Sequence, residues 1–181
     1  MGSWKTRGLR GSTFEEMINL SNEAYRMKGL ATIQKVPTPI TPVKMNHETR
    51  LIEVAYFEKK STIDYIGAVQ GIPIAFDAKE TSHKYLPMQN IHEHQIEFMR
   101  DFERQKGVAF LLVRFSLVDK VFMLPFEELY KFWEAAQNGG RKSIPLEAFD
   151  DELVAVNKSG AMVHYLEPLS MYLQRRGKSA E

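Results

Sequence analysis

The chain has 181 residues, 44% of them hydrophobic, which suits a single folded domain over 1–181 with a proper core. Its 24 basic and 23 acidic residues leave a net charge of +1, well short of a broadly basic nucleic-acid binder, so any affinity for DNA must reside in local patches. The absence of cysteine excludes disulfides, thiolate chemistry and cysteine-held zinc or iron–sulfur centres, and no apolar run nears the ~18 residues that span a bilayer, so a cytoplasmic protein with no membrane contact is expected.

The amino end carries one basic patch, Lys5, Arg7 and Arg10, ahead of any acid, and Arg175, Arg176 and Lys178 form another near the carboxyl end. Both read equally well as solvated tails or as phosphate contacts. A helix is predicted after Ser12 or Thr13, either of which can cap it, with Glu16 three residues beyond Thr13. Phe14, Met17, Ile18, Ala24 and Tyr25 supply its apolar stripe, and Gly29 marks its end. Leu30 to Val36 alternates as a strand does. Pro37, Pro39 and Pro42 then follow within six residues and cannot donate ladder hydrogen bonds, so this segment is expected to stay outside any sheet. Arg50 to Phe57 reads as a strand, which makes residues 37–50 an arm that leaves the core and returns.

Asp64 to Gln70 and Ile72 to Lys79 are strand-like runs on either side of Gly71, predicting an antiparallel hairpin. A helix is predicted from His92 to Gln105, buried strands at Val108 to Phe115 and Lys120 to Leu124, and a helix from Pro125 carrying Leu129, Phe132 and Trp133. Residues 141–181 read as a less regular finish with a last helix over Tyr165 to Arg175. Phe98, Phe102, Phe110, Phe115 and Phe122 are spaced for burial rather than for stacking on bases.

The chemistry concentrates at the hairpin's open end. Asp64 opens one run and Asp77 closes the other, thirteen residues on (77 − 64). Alternation in a strand sends Asp77 and Lys79 to one side and Ala78 to the other. Two carboxylates suit a hard cation such as magnesium, which wants oxygen ligands. Lys79 can hold an attacking water or stabilise charge growing on a phosphate, and the sequence leaves both roles open. Glu15 is a further acid candidate, equally at home as a partner of its helix dipole. His83, His92 and His94 lack the spacing of a zinc site, and His92 and His94, two apart, would not share a helix face.

Several blocks in one order resemble RecU, the Holliday junction resolvases of Gram-positive bacteria within the PD-(D/E)xK nucleases. They are Gly11-Ser12-Thr13-Phe14-Glu15, Pro37-Thr38-Pro39, Ala55-Tyr56-Phe57, Ser61-Thr62-Ile63-Asp64-Tyr65, Phe76-Asp77-Ala78-Lys79-Glu80-Thr81 and Leu86 to Gln95. The resemblance implies a restriction-endonuclease-like α/β fold, a central mixed sheet flanked by helices with a protruding stalk, working as a homodimer on four-way junction DNA. It implies magnesium, with manganese as a substitute, held around Thr62, Asp64, Asp77 and Gln95, and Lys79 as the transition-state stabiliser. The arm would be the stalk that enters the open centre of a junction, with Lys35, Lys44, His47 and Arg50 on or beside it to meet phosphates. Coupling to recombinase or branch-migration partners is a further expectation. Two departures stand out: Asp77 replaces the family's usual Glu, and Ile63 stands where a second threonine is common. The rival readings are another nuclease of the same superfamily, with no use for the arm, and a non-catalytic junction-binding protein.

Overall fold

The structure, a computed structural model, describes residues 13–37, 40–46, 48–57 and 63–178. Helix α1 (Phe14–Met27) starts at a reciprocal cap in which Thr13 Oγ1 accepts from the Glu16 N–H at 3.3 Å and Glu16 Oε2 accepts from the Thr13 N–H at 2.8 Å. Gly29, at φ 65°, turns the chain into β1 (Ala31–Lys35). Strands β2 (Ile40–Asn46) and β3 (Leu51–Phe57) pair antiparallel with each other in a two-stranded ribbon of their own. The expectation that the three-proline segment avoids sheet is therefore corrected, since Pro42 lies within β2. It is accommodated because β2 has a partner on one side only and its register shifts between Pro42 and Lys44, where a missing N–H interrupts little.

Strands β4 (Tyr65–Val69) and β5 (Ile72–Thr81) form the expected hairpin. Its two turn residues, Gln70 at φ 48° and Gly71 at φ 86°, are both left-handed, as the tightest hairpin turn requires. The chain continues through β6 (Tyr85–Pro87), a 3-10 turn at Met88–Asn90, α2 (Glu93–Arg104), β7 (Val108–Phe115), β8 (Lys120–Pro125) and α3 (Phe126–Gln137). The last forty residues hold more order than their composition suggests. They contain β9 (Ser143–Pro145), β10 (Val154–Lys158), β11 (Ala161–His164) and α4 (Leu166–Lys178), and two of these strands extend the main sheet.

That sheet has seven strands in the order β1-β4-β5-β7-β8-β10-β11, antiparallel throughout except for the parallel β5–β7 pair. Helix α1 packs against both end strands, β1 and β11, so the sheet curls around it. One core lies on that concave side and joins Phe14, Ile18 and Tyr25 to Tyr65, Ile74, Phe76, Phe110 and Tyr165. Tyr65, Phe76 and Phe110 stack across three adjacent strands at centroid spacings of 4.8 and 4.9 Å. The opposite side is covered by α2 and α3, whose Ile96, Met99 and Leu129 pack with Ala75, Ala109, Leu111 and Val113. Alternation along β5 thus sends Ile74 and Phe76 toward α1, and Ala75, Asp77 and Lys79 toward the α2 side.

Candidate active site

Asp64 sits in the bend just before β4, and Asp77 lies on β5 one position beyond the last cross-strand pair, Tyr65 with Phe76. The pairing therefore brings the two acids together at the hairpin's open end. The Oδ2 atom of Asp64 accepts the N–H of Ala78 at 3.0 Å, which fixes its carboxylate against the backbone between Asp77 and Lys79. Asp77 is fully buried, and its Oδ2 lies 2.5 Å from Lys79 Nζ. That contact is an ion pair without hydrogen-bond alignment, for neither oxygen of Asp77 receives a well-directed hydrogen bond.

Burial dominates the electrostatics of Asp77 and pushes its pKa up to about 7. Lys79 opposes the shift, while the charge of Asp64 adds to it. A carboxylate buried with lone pairs unclaimed is poorly compensated by one ammonium group, and a divalent cation would complete it. The donors on hand are oxygens, which suits magnesium or manganese better than zinc. Among the described residues no group of three or more histidine or acidic side chains converges on a metal position.

Gln95 is buried in the first turn of α2, on the side of the sheet that Asp77 and Lys79 face. Its Oε1 accepts the N–H of His92 at 3.1 Å, so the amide is already oriented by the helix start. The resemblance alone pointed to Gln95, and the sequence signal for its anchoring is a Gln three residues after the residue that precedes the helix. Contrary to expectation, the rings of His92 and His94 do meet, stacked at 5.4 Å, because His92 precedes the helix and its ring need not follow helical spacing. Tyr65 was also passed over; its hydroxyl bonds to Asn19 at 3.0 Å and contacts the Glu15 carbonyl at 3.3 Å, linking α1 to the site's floor.

The remaining candidates are distributed around this centre. The Glu15 carboxylate is ion-paired with Lys35 at the end of β1. Lys44 lies on the ribbon and pairs with Glu53 across it at 2.5 Å, and Arg50, at φ 58°, lies in the turn that joins the two strands. Thr62, His47, Arg7 and Arg10 lie outside the described residues.

A family model described as Recombination protein U matches residues 9–171. The Holliday junction resolvase RecU of Pediococcus pentosaceus is 42% identical over 179 residues, covering 96% of this chain and 86% of its own length. The protein of the same name from Staphylococcus carnosus is 41% identical over 176 residues, covering 94% of this chain and 81% of its own length. A solved structure of Archaeoglobus fulgidus Hjc, a Holliday junction resolvase from an archaeal hyperthermophile, aligns at a TM-score of 0.35 and 14% identity, covering 62% of this chain and 74% of that one; so slight a likeness bears on neither fold nor function. With the family model spanning most of its length, and relatives above 40% identity over more than nine-tenths of it, this chain belongs to the RecU family.

Proposed function

We propose that this chain is an endonuclease that resolves four-way DNA junctions by metal-dependent phosphodiester hydrolysis, acting in recombination and DNA repair. The observation that carries the reading is the buried Asp77 carboxylate, unclaimed by hydrogen bonds, beside Asp64 and Lys79. Family membership supports junction DNA as the substrate. Asp64, Asp77 and Gln95 would hold a divalent cation, magnesium by preference with manganese as a substitute, and Thr62 joins them on its motif position alone. Such an ion, when bound, lowers the pKa of a water and neutralises charge on the phosphate.

The chain's own groups do the rest. Asp77 would hold the ion as an ionised carboxylate, the better ligand form, because a cation would offset the burial that otherwise favours its protonated form. Asp64, held by Ala78 N–H, keeps its oxygens fixed and loses little freedom as substrate arrives. Lys79 presents an ammonium group to a non-bridging oxygen of the scissile phosphate, where charge accumulates in the transition state. Lys35, Lys44 and Arg50, with Arg7 and Arg10 on the amino-terminal segment, meet phosphates around the branch point. Two copies related by a twofold axis would present two such sites to strands of like polarity, which is the geometry that symmetric nicking needs. The chain works in the cytoplasm alongside recombinase or branch-migration proteins; among the described residues no helix is long and apolar enough to cross a membrane.

A cleavage assay on a mobile four-way junction, with a linear duplex of the same sequence as control, tests the proposal. Symmetric nicks in opposing strands that need magnesium are expected. Binding without nicks at every magnesium or manganese concentration would overturn it in favour of a non-catalytic junction binder.

A further inference from the structure

On the α2 side of the sheet, beyond the two acids, lies an open cavity of about 710 Å³ lined by His83, Tyr85, Gln89, Trp133 and Lys142 among others. Its rings are arranged for stacking. His83 and Tyr85 are nearly parallel, at 5.0 Å between centroids and 8° between planes, and Tyr85 remains 38% exposed. Their segment is pinned by one side chain, Thr81, whose hydroxyl accepts the N–H of His83 at 3.1 Å and donates to the carbonyl of Tyr85 at 3.0 Å. The opposite wall is fixed where β6 pairs with β9 and Met88 N–H donates to the carbonyl of Lys142.

Two observations single out a nucleic-acid occupant. Among the described residues no acid lines this cavity, whereas the cavity beside α4 is lined by Glu127, Glu128, Glu147 and Asp150 together with Arg175 and Arg176. Lys142 also has no carboxylate partner among the described residues, although lysines elsewhere on the surface, such as Lys120, Lys131 and Lys158, are ion-paired. A cationic, acid-free hollow with a ready-made aromatic pair suits a base on a phosphodiester strand.

Its position ties it to the cut. Thr81 lies on the same face of β5 as Asp77 and Lys79, four residues past Asp77 or ~13 Å at ~3.3 Å per residue. Ile91, on the cavity's other wall, leads directly into His92 and the start of α2, where Gln95 is oriented. The walls are thus chain-continuous with both sides of the metal-binding centre. The ~13 Å run from Asp77 to Thr81, which anchors the His83–Tyr85 segment, corresponds to about four nucleotides at ~3.4 Å per nucleotide of duplex rise.

We propose that this cavity receives one unstacked base of the cleaved strand at the branch point, sandwiched against Tyr85 with Lys142 on its phosphate, and that it contributes to the choice of cutting position. This inference rests on the nuclease reading given above. It requires the base to leave the duplex stack, which is easiest where strands exchange and pairing is already interrupted.

The test places single abasic nucleotides at each position within five of the mapped cut and measures junction affinity and cleavage by the full-length protein in magnesium. One position should show binding about tenfold weaker than its neighbours. Tyr85→Ala should weaken the intact junction by a similar factor, spread the cut over neighbouring positions and be insensitive to that abasic site, while Tyr85→Phe restores wild-type behaviour. A flat abasic profile on the wild-type protein overturns the inference even if Tyr85→Ala fails to fold. So does a folded Tyr85→Ala with unchanged affinity and cutting position. In both cases a wild-type protein that still nicks junctions leaves the nuclease reading standing, and one that never nicks them removes that reading first.

Discussion

The Oδ2 atom of Asp64 accepts the backbone N–H of Ala78 at 3.0 Å, across the open end of the β4–β5 hairpin. One acid of the pair is therefore oriented by the strand that carries the other acid and Lys79. Charge and anchoring can be separated by substitution, because the amide oxygen of Asn can still accept that N–H. Asp64→Asn should keep a melting temperature within about 2 °C of wild type yet lose cleavage by at least ~10²-fold, comparable to removing a charge-stabilising group from an active site. Asp64→Ala should lose both, with an additional ~1–3 kcal/mol of stability from the unpartnered N–H. Single-turnover cleavage and thermal melts of the two variants make the comparison; equal stability of both would show that the bond anchors nothing.

Lys79 stands beside Asp77 but outside the acid pair, so its loss should spare DNA binding. Lys79→Ala is expected to cut four-way junctions ~10²–10³-fold more slowly while binding them within about threefold of wild type. Asp77→Ala should behave alike. Cleavage by either variant at the wild-type rate would remove that residue from the chemistry.

The raised pKa of Asp77 has a consequence for stability that needs no substrate. Its carboxyl titrates near 3.8 in the unfolded chain and near 7 in the metal-free fold. Between those values the folded protein holds a proton that the unfolded chain has released, so stability must fall as pH rises from about 4 to about 7 and level off above. Three pKa units set a ceiling of ~4 kcal/mol for the loss. Asp77→Asn, which cannot ionise, should melt several degrees above wild type at pH 8 without metal and close to it at pH 4.5. Saturating magnesium should reverse the order at pH 8 by favouring the ionised wild-type carboxylate. Parallel melting curves for the two proteins at both pH values, in chelator, would contradict the burial of Asp77.

Much of the site was legible because it is local. Two strand-like runs on either side of Gly71 placed Asp64 and Asp77 together at the hairpin's open end, and a period of two placed Asp77 and Lys79 on one face. The first helix was readable from Thr13 and Glu16, whose reciprocal bonds need only three residues of separation. What the sequence hid was non-local. Val154 and Ala155 find partners in Phe122 and Val121, and short strands of this kind acquire their pattern from the sheet they join rather than from their own periodicity. Pro42 misled for the opposite reason, since a proline rule that holds inside a sheet does not bind a strand paired on one side.

The closure of the sheet around α1 depends on a buried polar contact. Ser21 Oγ accepts the N–H of Val163 on β11 at 2.9 Å and donates to the Met17 carbonyl at 2.8 Å, joining the first helix to the last strand. Ser21→Ala strands a buried N–H at a cost of ~1–3 kcal/mol. At 2–4 °C per kcal/mol for a chain of this size, the melting temperature should fall by about 2–12 °C. A change below 1 °C would mean that the N–H finds another acceptor.

The ribbon offers the cleanest separation of folding from function. Strands β2 and β3 pair only with each other, none of their described side chains is buried, and the exposed ones include Ile40, Val43, Leu51, Val54 and Tyr56. A segment with no share in the core contributes little to the stability of the rest. Replacing residues 40–57 with a short Gly-Ser linker should therefore leave the melting temperature within about 3 °C of wild type, as loop changes outside a core do. The active-site acids are untouched, so nicking of a linear duplex should persist at whatever low level the intact protein shows. Junction affinity should fall by at least tenfold, since Lys44, Arg50 and the apolar side chains that would enter the branch point are gone. Competition binding with junction and duplex of equal length measures that preference. An unchanged junction-to-duplex ratio would separate the ribbon from junction recognition and favour a nuclease indifferent to branching.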